Sequence, residues 1–213
     1  SIIYGLLSAF TWGAGDFTGG LAARKVGAVQ AVFYASIVGL IAVSIVAFIS
    51  NESLPSLQSW VYAMIAGIFG MAGLTFLYFA MANGTMSIAA PVSAVLAATL
   101  PVLIGIITEG LPEFLTLIGF GFALFAMWMV SQSENGVKDI FSHLSDLKLP
   151  LLAGIGFGLY FIVMHEATSD GALFWTMVAS RVTSVLFLFI YMLIKKISFR
   201  INDTSSFPVI GLN

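Results

Sequence analysis

Three ionisable side chains interrupt apolar runs: Asp16 in TWGAGDFTGG, Arg181 in VASRVTSVLF, and His165 near the end of GIGFGLYFIVMHE. A carboxylate among apolar residues can take up a proton, hold a cation or receive a polar group of a substrate. A guanidinium keeps its charge, so it must be met by a carboxylate, by backbone carbonyls or by water. Histidine is the side chain that titrates near neutrality. Asp16 stands eight residues before Arg24, about 12 Å along a helix axis, too deep for its short side chain to reach the interface. Placing Asp mid-span costs roughly 2.5–3.5 kcal/mol, so it needs a partner, water or a proton. Two readings stay open for Asp16. One is a proton, cation or substrate site, the default for an ionisable residue inside a membrane; the other is a structural carboxylate bonded to a neighbouring helix. Arg181 divides the same way between pairing, with Asp16 the deepest acid available, and contact with a substrate.

Around these charges, the 3.6-residue period puts Gly5, Ala9, Trp12, Gly13, Asp16 and Gly20 on one stripe. The opposite stripe, Ile3, Leu7, Phe10, Ala14, Phe17 and Leu21, is suited to lipid. Small residues let helix backbones approach, so the Asp16 stripe is expected to face protein or a cavity. Trp12 is then either a packing residue or a platform for substrate. Tyr78 could offer a cavity hydroxyl, and Pro91 and Pro101 in IAAPVSAVLAATLPVLIGIITEG each remove a backbone donor, which suits a gate or a fixed kink. Glu109 and Glu166 read as helix-end residues at the interface. GAGDFTG has the wrong glycine spacing for a phosphate loop and lies within a span.

The elements that position these groups follow from composition. Of 213 residues, 60% are hydrophobic and 8% charged, against about 25% charged in soluble domains, and the mean hydropathy is +1.05. Apolar runs of membrane-crossing length recur, and spans of this length must be helical. Seven are expected, at 2–23, 28–49, 60–81, 88–108, 114–131, 149–167 and 172–194, with an eighth beginning near Phe207. The chain opens on Ser1 and stops in FPVIGLN, where another apolar run begins, so it reads as a fragment of a longer protein. With no cysteine and two histidines outside any ligand spacing, neither disulfide nor metal is expected; no cofactor is implied. The cations are too scattered for nucleic acid.

Those cations fall in alternate loops: Arg24 and Lys25 in the first, Lys138 and Lys148 in the fifth, and Lys195, Lys196 and Arg200 in the seventh. The positive-inside rule makes the odd-numbered loops cytoplasmic and the N-terminus external. The longest linker, 132–148, divides the chain into a first unit at 1–131 and a second at 149–213. YGLLSAFTWGAGDF can be laid over AGIGFGLYFIVMHE, placing Gly5 on Gly154, Ala9 on Gly158, Trp12 on Phe161 and Asp16 on His165. Further on, YASIVG lies over VASRVT, with Ile37 on Arg181. Five helices being an odd number, the second copy enters from the opposite side. Its first loop carries Glu166 and Asp170 where the earlier one carries Arg24 and Lys25. Inverted repeats of this kind are a transporter architecture with the site near the midplane.

In WGAGDFTGGLAARKVGA, AAPVSAVLAATLPVLIGIITEGLPEFLTLIGFGFALFAM, GIGFGLYFIV and VASRVTSVLF, the chain resembles the EamA-like group of the drug/metabolite transporter superfamily, and within it a Gly-Asp-Phe helix-1 subgroup. The resemblance spans essentially the whole chain and implies ten helices in two inverted five-helix repeats, seven to eight of them in this fragment. Glu109 matches the family's frequent Glu at the end of helix 4, and Arg181 an Arg often found in the second helix of a repeat. Ile37 and Gly110 depart from the pattern: Ile37 leaves the charge in one half only, and Gly110 stands where Arg often follows the Glu. Relatives are usually drawn with both termini cytoplasmic, whereas the loop cations here argue the reverse.

The resulting expectation is an all-α polytopic protein of the prokaryotic plasma membrane that moves a small metabolite by alternating access, coupled to a proton or cation through Asp16. The lipid bilayer and the small-molecule substrate are its expected partners, with a homodimer as the candidate assembly. An intramembrane enzyme is the competing class, disfavoured because no Ser/His or HExxH pattern accompanies the deep charges. A non-transporting scaffold or receptor would need a ligand domain or docking tail, for which the visible loops are too short.

Overall fold

The computed structural model describes residues 2–84, 86–131 and 147–199. Most of the linker, with Lys138, and the segment holding Arg200 and the eighth span near Phe207 lie outside the described residues. Among the described residues seven helices follow one another: α1 (Ile2–Val26), α2 (Ala28–Ile49), α3 (Leu57–Asn83), α4 (Met86–Glu109), α5 (Phe114–Ser131), α6 (Lys148–Ala167) and α7 (Leu173–Ile194). All seven expected spans are helices, with ends shifted by at most three residues. Five of them, α2, α3, α4, α6 and α7, are long and apolar enough to cross a membrane. α1 is 25 residues long, but its Thr, Gly and Asp and the closing Arg-Lys pair dilute its apolarity. The described apolar stretch of α5 is the shorter Phe114–Ala126.

α3 is the axis of the assembly, touching α1, α2, α4, α6 and α7 and packing most extensively on α6. Glycine makes that approach possible. A Cβ at Gly156 would stand 2.8 Å from the Cα of Gly73, and one at Gly73 would stand 3.0 Å from the backbone nitrogen of Phe157, so the two helices meet backbone to backbone. The other side of α6 abuts α4 in the same manner, Gly154 against Ser93 and Leu96 and Gly158 against Leu100. α7 is tied to α3 by the Ser184 hydroxyl, which donates to the Gly67 carbonyl at 3.0 Å.

The small-residue stripe of α1 behaves differently along its length. Gly19, Gly20, Ala22 and Ala23 are buried, but Gly5, Ala9 and Gly13 are exposed, and nothing lies within 4 Å of a Cβ at Gly5 or Gly13. The expectation that this stripe faces protein or a cavity is thus not met at Gly5, Ala9 and Gly13.

The helix ends are fastened across the molecule. At one end the Glu52 carboxylate, in the α2–α3 loop, accepts the first backbone N–H groups of α7, from Leu173 at 2.6 Å, Phe174 at 2.7 Å and Trp175 at 3.1 Å. Asp170, in the α6–α7 loop, reciprocates by accepting from the backbone N–H of Ser56 at 2.8 Å, and Ser56 is the N-cap of α3. Each loop thus satisfies orphan donors and the positive dipole end of the other loop's helix. At the opposite end Arg24 donates to the carbonyls of Met81 at 3.0 Å and Gly84 at 3.4 Å, closing the C-terminus of α3. Tyr34 there donates to the carbonyl of Phe199, holding the segment after α7 against α2. Connectivity then sorts the described charges. Arg24, Lys25, Lys148, Lys195 and Lys196 share one end, and Glu52, Glu109, Glu113, Glu166 and Asp170 share the other. Asp16 and Arg181 belong to neither.

Candidate functional site

Asp16 and Arg181 line one cavity of about 210 Å³, walled by Thr11, Trp12 and Gly15 of α1, Ala35 and Gly39 of α2, and Leu74 and Tyr78 of α3. Both charged side chains are half-buried. Arg181 finds room because α2 offers no side chain opposite it: a Cβ at Gly39 would stand 3.4 Å from Nε of Arg181. Tyr78 is 2% exposed, its ring and hydroxyl laid over Gly19, where a Cβ would collide with them. Tyr78 thus lines the same cavity as the two charged side chains.

Among the described residues no ion pair or hydrogen bond joins Asp16 to Arg181. In place of the pairing considered from sequence there is a shared cavity, lined by Asp16 from α1 and Arg181 from α7. The cavity has a small extension of about 50 Å³ reaching Ser36, Tyr160, Ser180 and Ser184. On the other side of Trp12 lies a larger chamber of about 420 Å³, with Asp16 at its edge and walls from α4 and α6, including Ala94, Ala98, Pro101, Phe157 and Phe161. Trp12 lines all three spaces, and its ring meets that of Phe161 at a centroid distance of 6.4 Å.

Of the residues singled out by sequence, Asp16, Trp12, Tyr78, Arg181 and Pro101 converge on these connected spaces. His165 does not join them: it continues the stripe of Gly158 and Phe161 but stands exposed near the end of α6. Pro91 lies in α4 but outside the residues lining these spaces. α4 remains helical through both prolines, and Pro101 cannot donate to the carbonyl of Ala97, a residue that itself lines the larger chamber. Sequence reasoning missed Gly39, Ser36 and Tyr160. Ser36 and Ser180 hold equivalent positions in YASIVG and VASRVT and reach the same extension, a coincidence that the overlay already contained. Among the described residues no group of three or more His, Cys, Asp or Glu is arranged to hold a metal ion.

Opposed charges in a cavity between apolar helices can bind and orient a small polar molecule. No curated protein and no solved structure matches the chain. The sequence profile of the EamA-like transporter family matches residues 1–132. With that match over more than half of its length, beside an all-helical array of apolar spans, this multi-pass membrane protein belongs to the EamA-like transporter family, membrane transporters of the drug/metabolite type.

Proposed function

We propose that the protein is a secondary transporter that carries a small metabolite by alternating access, with the Asp16–Arg181 cavity as its binding site and Asp16 as the group that takes up and releases the coupling proton. The observation that carries this reading is one cavity holding an acid and a base that do not neutralise each other directly. A structural carboxylate inside a membrane would be expected to have found its partner. Trp12 and Phe161 stand between the polar cavity and the apolar chamber as an internal gate, and the weakened backbone of α4 at Pro101 supplies the bend that opens it.

Two inverted repeats, 1–131 and from 149 onward, would suit this mechanism, and contacts between overlaid positions support them. Trp12 meets Phe161, Ser36 shares a cavity with Ser180, and α2 packs on α7. Equivalent residues that touch are those near a two-fold axis, where substrate sites of inverted-repeat transporters lie. The segregation of charge supports a plasma-membrane orientation with the Arg24, Lys148 and Lys195 end cytoplasmic.

The test is uptake of a panel of amino acids, sugars, nucleobases and amines into proteoliposomes holding the full-length protein under an imposed pH gradient. Accumulation of at least one compound above empty liposomes, abolished by a protonophore, is the expected result. Proton-independent equilibration would remove the coupling, and no protein-dependent flux for any compound would remove the transport reading.

A further inference from the structure

Hydroxyls inside these helices commonly turn back onto a carbonyl of the preceding turn, as those of Thr75, Thr176, Thr183 and Ser184 do. Ser36 of α2 and Ser180 of α7 do not. They are 1% and 5% exposed, and among the described residues no hydrogen bond engages either hydroxyl, nor that of Tyr160 on α6. All three residues line the small extension beside Arg181. A buried hydroxyl without a partner is costly, so three that border one space are donors suited to a common acceptor.

Charge narrows what that acceptor is. Asp16 lines the main cavity and the α4–α6 chamber but not this extension, and no other carboxylate lines it. Its polar side chains are those of Arg181, Ser36, Ser180, Ser184, Tyr160 and Trp12. Guanidinium and indole only donate, and each hydroxyl can donate, while Arg181 repels a cation. The Ser184 hydroxyl is already committed to the carbonyls of Gly67 and Ser180, which leaves the other groups for a ligand. Tyr160 is seated against α3, since a Cβ at Gly70 would stand 2.8 Å from its Cδ2.

Size narrows it further. The extension measures about 50 Å³, far below the roughly 300–1,000 Å³ of organic-ligand sites and above the roughly 10–15 Å³ that one water needs. A half-buried guanidinium, unpaired among the described residues, favours an anion over neutral water, because hydrogen bonds between ionised partners are the stronger ones.

We propose that Arg181, Ser36, Ser180 and Tyr160 form a binding site for one monatomic anion, a halide such as chloride, separate from the space at Asp16. Arg181 supplies the charge, and the three hydroxyls replace the ion's hydration shell. The ion sits where α2 and α7 pack together and neutralises the arginine there.

The test is equilibrium binding of radiolabelled chloride to the purified full-length protein in nanodiscs, in gluconate buffer, with neither gradient nor cargo. Saturable binding of one ion per chain is expected, displaced by bromide and unchanged when choline replaces sodium. Arg181→Gln should abolish it, and Arg181→Lys should retain it. Tyr160→Phe and the Ser36→Ala, Ser180→Ala double variant should each weaken it about tenfold or more. Absence of saturable chloride binding by the wild type would leave only water in the extension and overturn the proposal. Undiminished affinity in Arg181→Gln or in the serine double variant would overturn it too. The wild-type measurement decides even where a variant fails to fold, and Tyr160→Phe tests the site while keeping the ring in place. Failure of chloride binding removes this proposal alone, because cargo uptake is measured separately and does not require it.

Discussion

Glu52 and Asp16 are both acids set against helices, and they are used in opposite ways. Glu52 sits at a helix end with its carboxylate filled by three backbone N–H groups of α7, and its own carbonyl accepts from the Trp175 indole at 3.3 Å. Asp16 sits mid-helix at the border of two cavities, and among the described residues no hydrogen bond or ion pair engages it. A carboxylate whose lone pairs are saturated by the protein is part of the scaffold. One that the fold keeps within reach of space, and across that space from an arginine, is available to something that comes and goes. On the proposed function, the contrast is between a stabilising charge and a working one, and it can be broken at either residue.

The largest effect is expected at the working charge. Asp16→Asn should reduce gradient-driven accumulation to the level of empty liposomes while leaving the thermal midpoint unchanged or raised, since removing a half-buried charge relieves its desolvation. A large fall in that midpoint would place Asp16 in the scaffold and erase the contrast. Glu52→Ala should do the opposite, lowering stability by about 1–2 kcal/mol, as loss of a helix cap does, with transport per folded molecule retained. Thermal denaturation and flux on the same preparation separate the two outcomes.

A smaller loss follows from Ser184→Ala, which removes the hydroxyl bond to the Gly67 carbonyl. About 0.6 kcal/mol is the mean worth of such an interhelical bond in a membrane, read as a slight fall in thermal midpoint. The smallest effect is the pH response of Asp170, the other half of the crossed fastening. Hydrogen bonds from the Ser56 backbone and the Ser59 side chain hold its carboxyl below the ordinary value of 3.8. A carboxylate depressed in the folded state stabilises it above the unfolded value, and that contribution is lost as pH falls through the folded one. Stability of the wild type should therefore decline on acidification below about 4, and Asp170→Asn should lose that increment of the decline. An undiminished decline would show that Asp170 does not contribute to it.

Much of the scaffold was legible because apolar length and polar interruption are local signals. α2 and α5 run over the expected residues, and α4 extends the expected span by two residues at its start and one at its end. The convergence of Asp16, Trp12 and Tyr78 was legible in part, since deep polar residues in apolar helices have few places to go. What stayed hidden depends on which helix lies opposite. Nothing in NESLPS announces that Glu52 caps α7, because the partner donors are backbone groups 121 to 123 residues away. His165 shares a stripe with Gly158 but stands at the exposed end of it, and period alone does not report depth. Gly39 looked like one small residue among many until the Arg181 guanidinium was seen against it.

Whether Asp16 is the proton-bearing group of a substrate cavity is decided by comparing accumulation with exchange in the Asp16→Asn protein. Proteoliposomes preloaded with a transported compound are measured once under a pH gradient and once in equilibrium exchange with labelled compound outside. Gradient-driven accumulation is expected to be lost while exchange persists, because the variant can still alternate loaded but no longer carries the proton. Undiminished gradient-driven accumulation in Asp16→Asn would contradict it.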